Sequence, residues 1–128
     1  MKEHIYKGIL VMFSVFAPIQ SVLFACGALI VADMVTGIIA AKKRGEKITS
    51  AQMRRSVSKL IVYQIAIISG FILEKYMLQD LVPVSKIVAG VIGMVEFTSI
   101  LENGSAIAGK DLLVLVLEKL GSKNAEKK

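Results

Sequence analysis

The sequence predicts an all-α integral membrane protein with about three transmembrane helices and a shorter interfacial helix near each end. Three observations predict it. The chain is 55% hydrophobic with a mean hydropathy of +0.66, which leaves too few polar residues to cover the surface of a soluble domain of 128 residues. Its apolar residues are clustered, with no charge between residues 8 and 32. Its net charge of +6 is concentrated as well: seven basic residues (Lys42, Lys43, Arg44, Lys47, Arg54, Arg55 and Lys59) face one acid, Glu46, in a single segment between apolar stretches. The length suits one domain.

The first apolar stretch, residues 5–41, is too long for one span. As a single helix it would measure roughly 55 Å at 1.5 Å per residue, against a hydrocarbon core of about 30 Å. Pro18, with Gln20 and Ser21, is the natural break. Residues 22–41 then have the length of a span. Residues 5–17 are too short to cross and are expected to lie as an interfacial or re-entrant helix, with Glu3, Lys7 and Ser14 on one face. Lys2 and Lys7 before an apolar run also resemble a secretion signal, and Leu23-Phe24-Ala25-Cys26 has the outline of a lipoprotein cleavage site. Phe fits poorly before the small residue, and the chain stays hydrophobic after Cys26, so the span is the better reading.

Residues 42–59 form the basic segment. It lies between hydrophobic segments and lacks interleaved aromatics, so it is read as a cytoplasmic loop under the positive-inside rule and not as a nucleic-acid site. Thr49 or Ser50 is the expected N-cap of the next helix. That helix carries the second span, residues 60–78, with Lys59 snorkelling at one end and Glu74, Lys75 and Tyr76 marking the other interface. A turn around Pro83 follows, on the outside. The third span, residues 85–103, holds the hydrophobic stretch 87–101, broken only by Glu96; Glu102-Asn103-Gly104 reads as its end, with Gly104 as the expected cap. Residues 111–120 form a short apolar helix, and 121–128 a polar, basic tail. One span before the loop and two after it put the loop and the C-terminus in the cytoplasm and the N-terminus outside, or inside if residues 5–17 also cross. Both cytoplasmic regions are basic, which agrees with this.

Polar residues inside the spans are the candidate functional positions. Asp33 costs roughly 2.5–3.5 kcal/mol at a helix centre, which about ten flanking Leu, Ile, Val and Phe residues at 0.3–0.6 kcal/mol each offset only narrowly. It is expected to face a bundle interior, a partner or water, unless it lies near the interface. Gly93, Glu96, Ser99 and Asn103 recur at helical spacing and form a narrow polar face. That face either lines a wet path or bonds a neighbouring helix, unless the segment lies partly outside the membrane. Ala28, Ala32, Thr36 and Ala40 make a small-residue ridge that lets helices approach closely, within one chain or between copies.

Nothing in the sequence points to catalysis, a cofactor or a metal. Cys26 and His4 are each the only residue of their kind, and no phosphate-binding loop or nucleophile–base arrangement is present.

Two stretches carry a family resemblance. Asp33-Met34-Val35-Thr36-Gly37-Ile38-Ile39-Ala40-Ala41 resembles the D-x-x-T-G-x-x-x-A signature of the toxin-secretion and phage-lysis holin family, where it ends the first span and precedes a basic loop. Glu96-Phe97-Thr98-Ser99-Ile100-Leu101-Glu102-Asn103 resembles that family's E-x-x-S-I-x-E-N motif near the third span. The order of the two also fits, and the similarity covers about residues 20–110. The family often shows Gly and Pro after the second motif, whereas here Gly109-Lys110-Asp111 leads into an apolar helix. The resemblance implies a holin that self-associates in the bacterial cytoplasmic membrane and opens lesions. An endolysin, a functional partner that it need not bind directly, would then reach the cell wall. Some relatives are linked to release of proteins without signal peptides. In such a holin the alanine–threonine ridge would pack helices and the polar residues would turn inward. The basic loop would fix topology and bind anionic lipid headgroups. A non-lytic membrane scaffold and a small ion channel subunit are the alternatives.

Overall fold

The computed structural model describes the backbone of residues 1–125 and the side chains of residues 1–122; the end of the expected tail, residues 126–128, lies outside the described residues. The described chain is all helical. Helix α1 is Lys2–Phe16 and α2 is Gln20–Lys43, joined by a 3-10 turn at Ala17–Ile19. Pro18 sits at the start of that turn, where its missing N–H breaks no helical hydrogen bond. Phe16 and Ile19 leave helical geometry on either side of it (ψ of 2° and 3°).

Helix α3 is Ser50–Ile72 and continues through a π turn at Leu73–Met77. Its start is set by Thr49, whose N–H donates to Gln52 Oε1 at 3.2 Å, the reciprocal half of a capping box. Gly45 turns the chain between α2 and α3 at φ 75°, a conformation only glycine adopts without strain. Helix α4 is Val84–Ala108 and α5 is Leu112–Ala125.

Gly104 does not cap α4. The helix runs one turn further and ends at Gly109, φ 68°. The polar run Glu102-Asn103-Gly104 looks like a terminus in sequence, but Asn103 points into the bundle and Gly104 makes room for α5. A Cβ on Gly104 would stand 3.0 Å from Leu112 Cδ1. Ser105 Oγ accepts from the Leu112 N–H at 2.9 Å and Asp111 Oδ1 from the Val114 N–H at 3.1 Å, so two orphan donors at the start of α5 are satisfied.

Three helical stretches are long and apolar enough to cross a membrane: Lys2–Lys43, Ser50–Met77 and Val84–Ala108. The protein is a multi-pass membrane protein in which α2, α3 and α4 form the bundle. Lys43 Nζ donates to the carbonyl of Ile107, so α2 and α4 end on the same side and run parallel. Gly70, near the end of α3, lies against Ser85 at the start of α4, so α3 runs antiparallel to both. At the outer end of this junction the Glu74 carboxylate accepts from Ser85 N–H at 2.9 Å and from Ser85 Oγ at 2.5 Å, placing an acid at the positive end of α4.

The half of the bundle away from the basic loop is filled by Ile19, Cys26, Ile67, Phe71 and Ile92. Phe16 packs its ring 6.2 Å from that of Phe71. Helix α1 itself has no buried residue. It projects from the bundle on the N-terminal side of Phe16, and most of its apolar side chains are exposed.

Candidate functional site

The site begins with the charges that should be hardest to place. Asp33 lies ten residues before the end of α2, Lys59 nine residues after the start of α3, and Glu96 twelve residues before the end of α4. At 1.5 Å per residue all three sit roughly 14–18 Å along their helices from the loop end of the bundle, at one common level. There they meet. Lys59 Nζ is 2.9 Å from Asp33 Oδ2 and 2.8 Å from Glu96 Oε2. The Glu96 side chain is 0% exposed and that of Asp33 13%. The contact to Asp33 is a true hydrogen bond. The contact to Glu96 is an ion pair at hydrogen-bond distance but not at hydrogen-bond angles, and neither Glu96 oxygen has a hydrogen-bond partner among the described residues.

This corrects the expectation for Lys59, which the sequence groups with the headgroup-facing basic residues. An apolar window must start after the last charge, so it starts the span at residue 60. The helix starts at Ser50, and the side chain turns to two acids on neighbouring helices instead of snorkelling outward.

Asn103 completes the arrangement. Its Nδ2 donates to Asp33 Oδ1 at 3.1 Å and to Thr36 Oγ1 at 3.2 Å, while Thr36 Oγ1 itself donates back to the Ala32 carbonyl at 2.8 Å. Gly37 faces this amide: a Cβ there would lie 3.5 Å from Asn103 Nδ2, an ordinary van der Waals contact. Gly27 faces α3 in the same way, beside Gln64, whose Nε2 donates to the Leu23 carbonyl at 2.9 Å. Thus the polar face Gly93, Glu96, Ser99 and Asn103 turns toward the other two helices. Gly93 is the apolar contact in that row, against Leu29.

On the basic side of the triad an open cleft of about 230 Å³ runs between the helices. Arg44, Gln52 and Arg55 line its outer part, and Asp33, Ser99 and Asn103 its inner end. The bundle therefore has three layers: an apolar plug, a charged middle, and a polar cleft toward the loop.

The remaining basic residues stay outside. Arg44 donates to both oxygens of Glu46 at 2.7 and 3.1 Å. That hydrogen bond holds the Glu46 carboxyl below its usual range and the guanidinium above its own. Lys42, Lys47, Arg54 and Arg55 are exposed. Along the small-residue ridge, Ala40 is fully buried, Ala32 and Thr36 are half-buried, and Ala28 is exposed. The ridge therefore winds from the inner interface to the outer surface.

Sequence reasoning missed the pairing of Lys59, the inward Gln64 and the Glu74–Ser85 clasp. For Lys59 a signal existed: a lone lysine beyond a helix start, with one unmatched acid in each of the other two spans. For Gln64 and Glu74 only the tertiary packing supplies it.

Among the described residues no group of three His, Cys, Asp or Glu could hold a metal ion. A family model described as Bacteriophage holin family matches residues 10–121 of the chain. No curated protein and no solved structure matches it.

Proposed function

The chain belongs to the bacteriophage holin family, whose members are non-enzymatic membrane proteins, and from that premise we propose that it oligomerises in the bacterial cytoplasmic membrane and permeabilises it. The lesion would release a lytic enzyme or another protein without a signal peptide. The observation that carries this reading is the closure of the single chain. The charged side chains at mid-depth are paired with one another, and the apolar layer of Ile19, Cys26, Ile67, Phe71 and Ile92 fills the rest of the bundle. Such a unit can accumulate in a membrane without leaking. A hole wide enough for a folded enzyme needs several copies.

The surface left for those copies is apolar. Phe24, Val31, Val35 and Ile39 are exposed on α2, and Ala28 lies among them with no bulk to keep a second helix away. The basic loop and the C-terminal region lie at the same end of the bundle and are assigned to the cytoplasm, where they meet anionic headgroups. The endolysin is a partner in outcome, with no direct contact required.

Expression in a bacterium, with membrane potential and release of a cytoplasmic enzyme followed together, tests the proposal. Abrupt loss of both after a delay is the expected result. Loss of potential alone would make the chain a small channel, and no effect at confirmed membrane levels a scaffold.

A further inference from the structure

Glu102 is exposed on α4 and has no partner within its own chain. Among the described residues the acids that form ion pairs are Asp33, Glu46, Asp80 and Glu96. Lys110 borders the same hollow at the α4–α5 corner as Glu102 but does not pair with it. Arg54 on α3 is exposed and equally unpaired. The other cations near this end are engaged or turned inward: Arg44 holds Glu46, Lys43 holds the Ile107 carbonyl, and Arg55 lines the cleft. The contact of Lys59 with Glu96 fixes the relative height of α3 and α4. From it Glu102 lies six residues toward the loop end of α4, and Arg54 five residues toward the loop end of α3. At 1.5 Å per residue these are roughly 9 and 8 Å, so the two charges stand at one height. At 100° per residue, however, Glu102 points roughly 120° away from Glu96 and Arg54 roughly 140° away from Lys59. Both look out of the bundle, and neither can reach the other in one chain.

Each charge continues an apolar stripe. Val91 and Val95 are exposed on the face of Glu102, and Ile61 and Ile65 on the face of Arg54. We propose that α4 of one copy docks against α3 of the next, with Glu102 paired to Arg54. Laid antiparallel in that register, the stripes set Val95 beside Ile61 and Val91 beside Ile65. The register is within one residue of the one in which α3 and α4 already pack inside the chain, where Lys59 meets Glu96 and Gly70 meets Ser85. Glutamate lacks the long stem by which a lone arginine reaches the headgroups, so the acid gains most from the pairing. The inference rests on the reading that copies self-associate, and it names their contact. The two surfaces differ, so the contact runs head to tail. Each added copy leaves one α3 face and one α4 face open, and the row grows until it closes as a ring. A two-fold contact would stop at two copies.

Disulfide trapping of the full chain in bacterial membranes tests it. A chain carrying both Ile61→Cys and Val95→Cys is expected to give, on oxidation, a ladder of dimers, trimers and longer products. Either substitution alone should give none, and the two single variants expressed together should give dimers only. Cys26 is buried, and the unsubstituted chain is the blank. Adding Glu102→Arg or Arg54→Glu to the doubly substituted chain should remove most of the ladder, and adding both should restore it. A ladder indifferent to these charges overturns the proposal, as does a single variant that cross-links to itself. A lysine-reactive cross-linker on the wild-type chain reads self-association separately. Oligomers with that reagent but no disulfide ladder would overturn this contact and leave self-association standing. No oligomers with either would remove both.

Discussion

Asn103 on α4 donates its side-chain amide to the Asp33 carboxylate on α2 at 3.1 Å, across 70 positions of sequence. The two residues belong to the two motifs that carry the family resemblance, so in this fold the motifs are two halves of one contact.

Replacing Asn103 by Leu removes the donor and leaves Asp33 Oδ1 with less support in a half-buried site. The expected loss is about 1–3 kcal/mol of bundle stability, read by reversible denaturation in mixed micelles. Asn103→Asp should cost more, since it brings a third acid to the triad. An Asn103→Leu chain as stable as the wild type would reduce the contact to coincidence.

Lys59→Met should be the most damaging single change, because it strands two acids. Breaking a buried ion pair from one side costs about 3–5 kcal/mol. Replacing all three residues together (Asp33→Leu, Lys59→Met, Glu96→Leu) should recover most of that loss, since the desolvation penalty goes with the charges. The ordering of the two midpoints is the test. A triple variant weaker than Lys59→Met would mean that the triad stabilises by more than neutralising itself.

Gly104→Ala pushes a methyl to 3.0 Å from Leu112 Cδ1. Crowding of this kind costs about 1–3 kcal/mol, less if the leucine tip swings away. Its local effect is to loosen α5, so proteolysis near residues 109–111 should speed up. Leu112→Ala in the same chain should restore protection.

Ala28→Leu fills no internal space, because Ala28 is exposed. The folded monomer should keep its stability within about 0.5 kcal/mol. Cross-linked oligomers should fall and lysis should be delayed if this part of α2 packs between copies. Unchanged cross-linking and timing would take the outer end of the ridge out of assembly.

Much of this architecture was legible in the sequence because lipid imposes a simple rule: long uncharged segments are helices that cross. The three apolar stretches, the break at Pro18 and the helix start at Thr49 all follow from local chemistry. Depth was less legible. Lys59 reads as the border of a span because hydropathy treats every charge as wet, and only the packing of three helices shows a lysine made tolerable by two acids. Gly104 misleads for a related reason. Its neighbours are polar, yet Asn103 spends its polarity inward, so the helix has no cause to stop there.

The parallel pairing of α2 with α4 has a consequence for biosynthesis. A ribosome adding roughly 5–20 residues per second needs roughly 4–14 s to travel from Asp33 to Asn103. Lys59 emerges first, so the nascent α2–α3 hairpin enters lipid as a matched pair of opposite charges. The second acid arrives only with α4. Until then Asp33 has its lysine but not its amide, and the hairpin is an electrically balanced, half-built protein. Glu96 is the last of the three charges to join, and Asn103 follows it on the same helix. A pause in translation before residue 84 would therefore hold the chain in a membrane form that lacks the acid pair altogether.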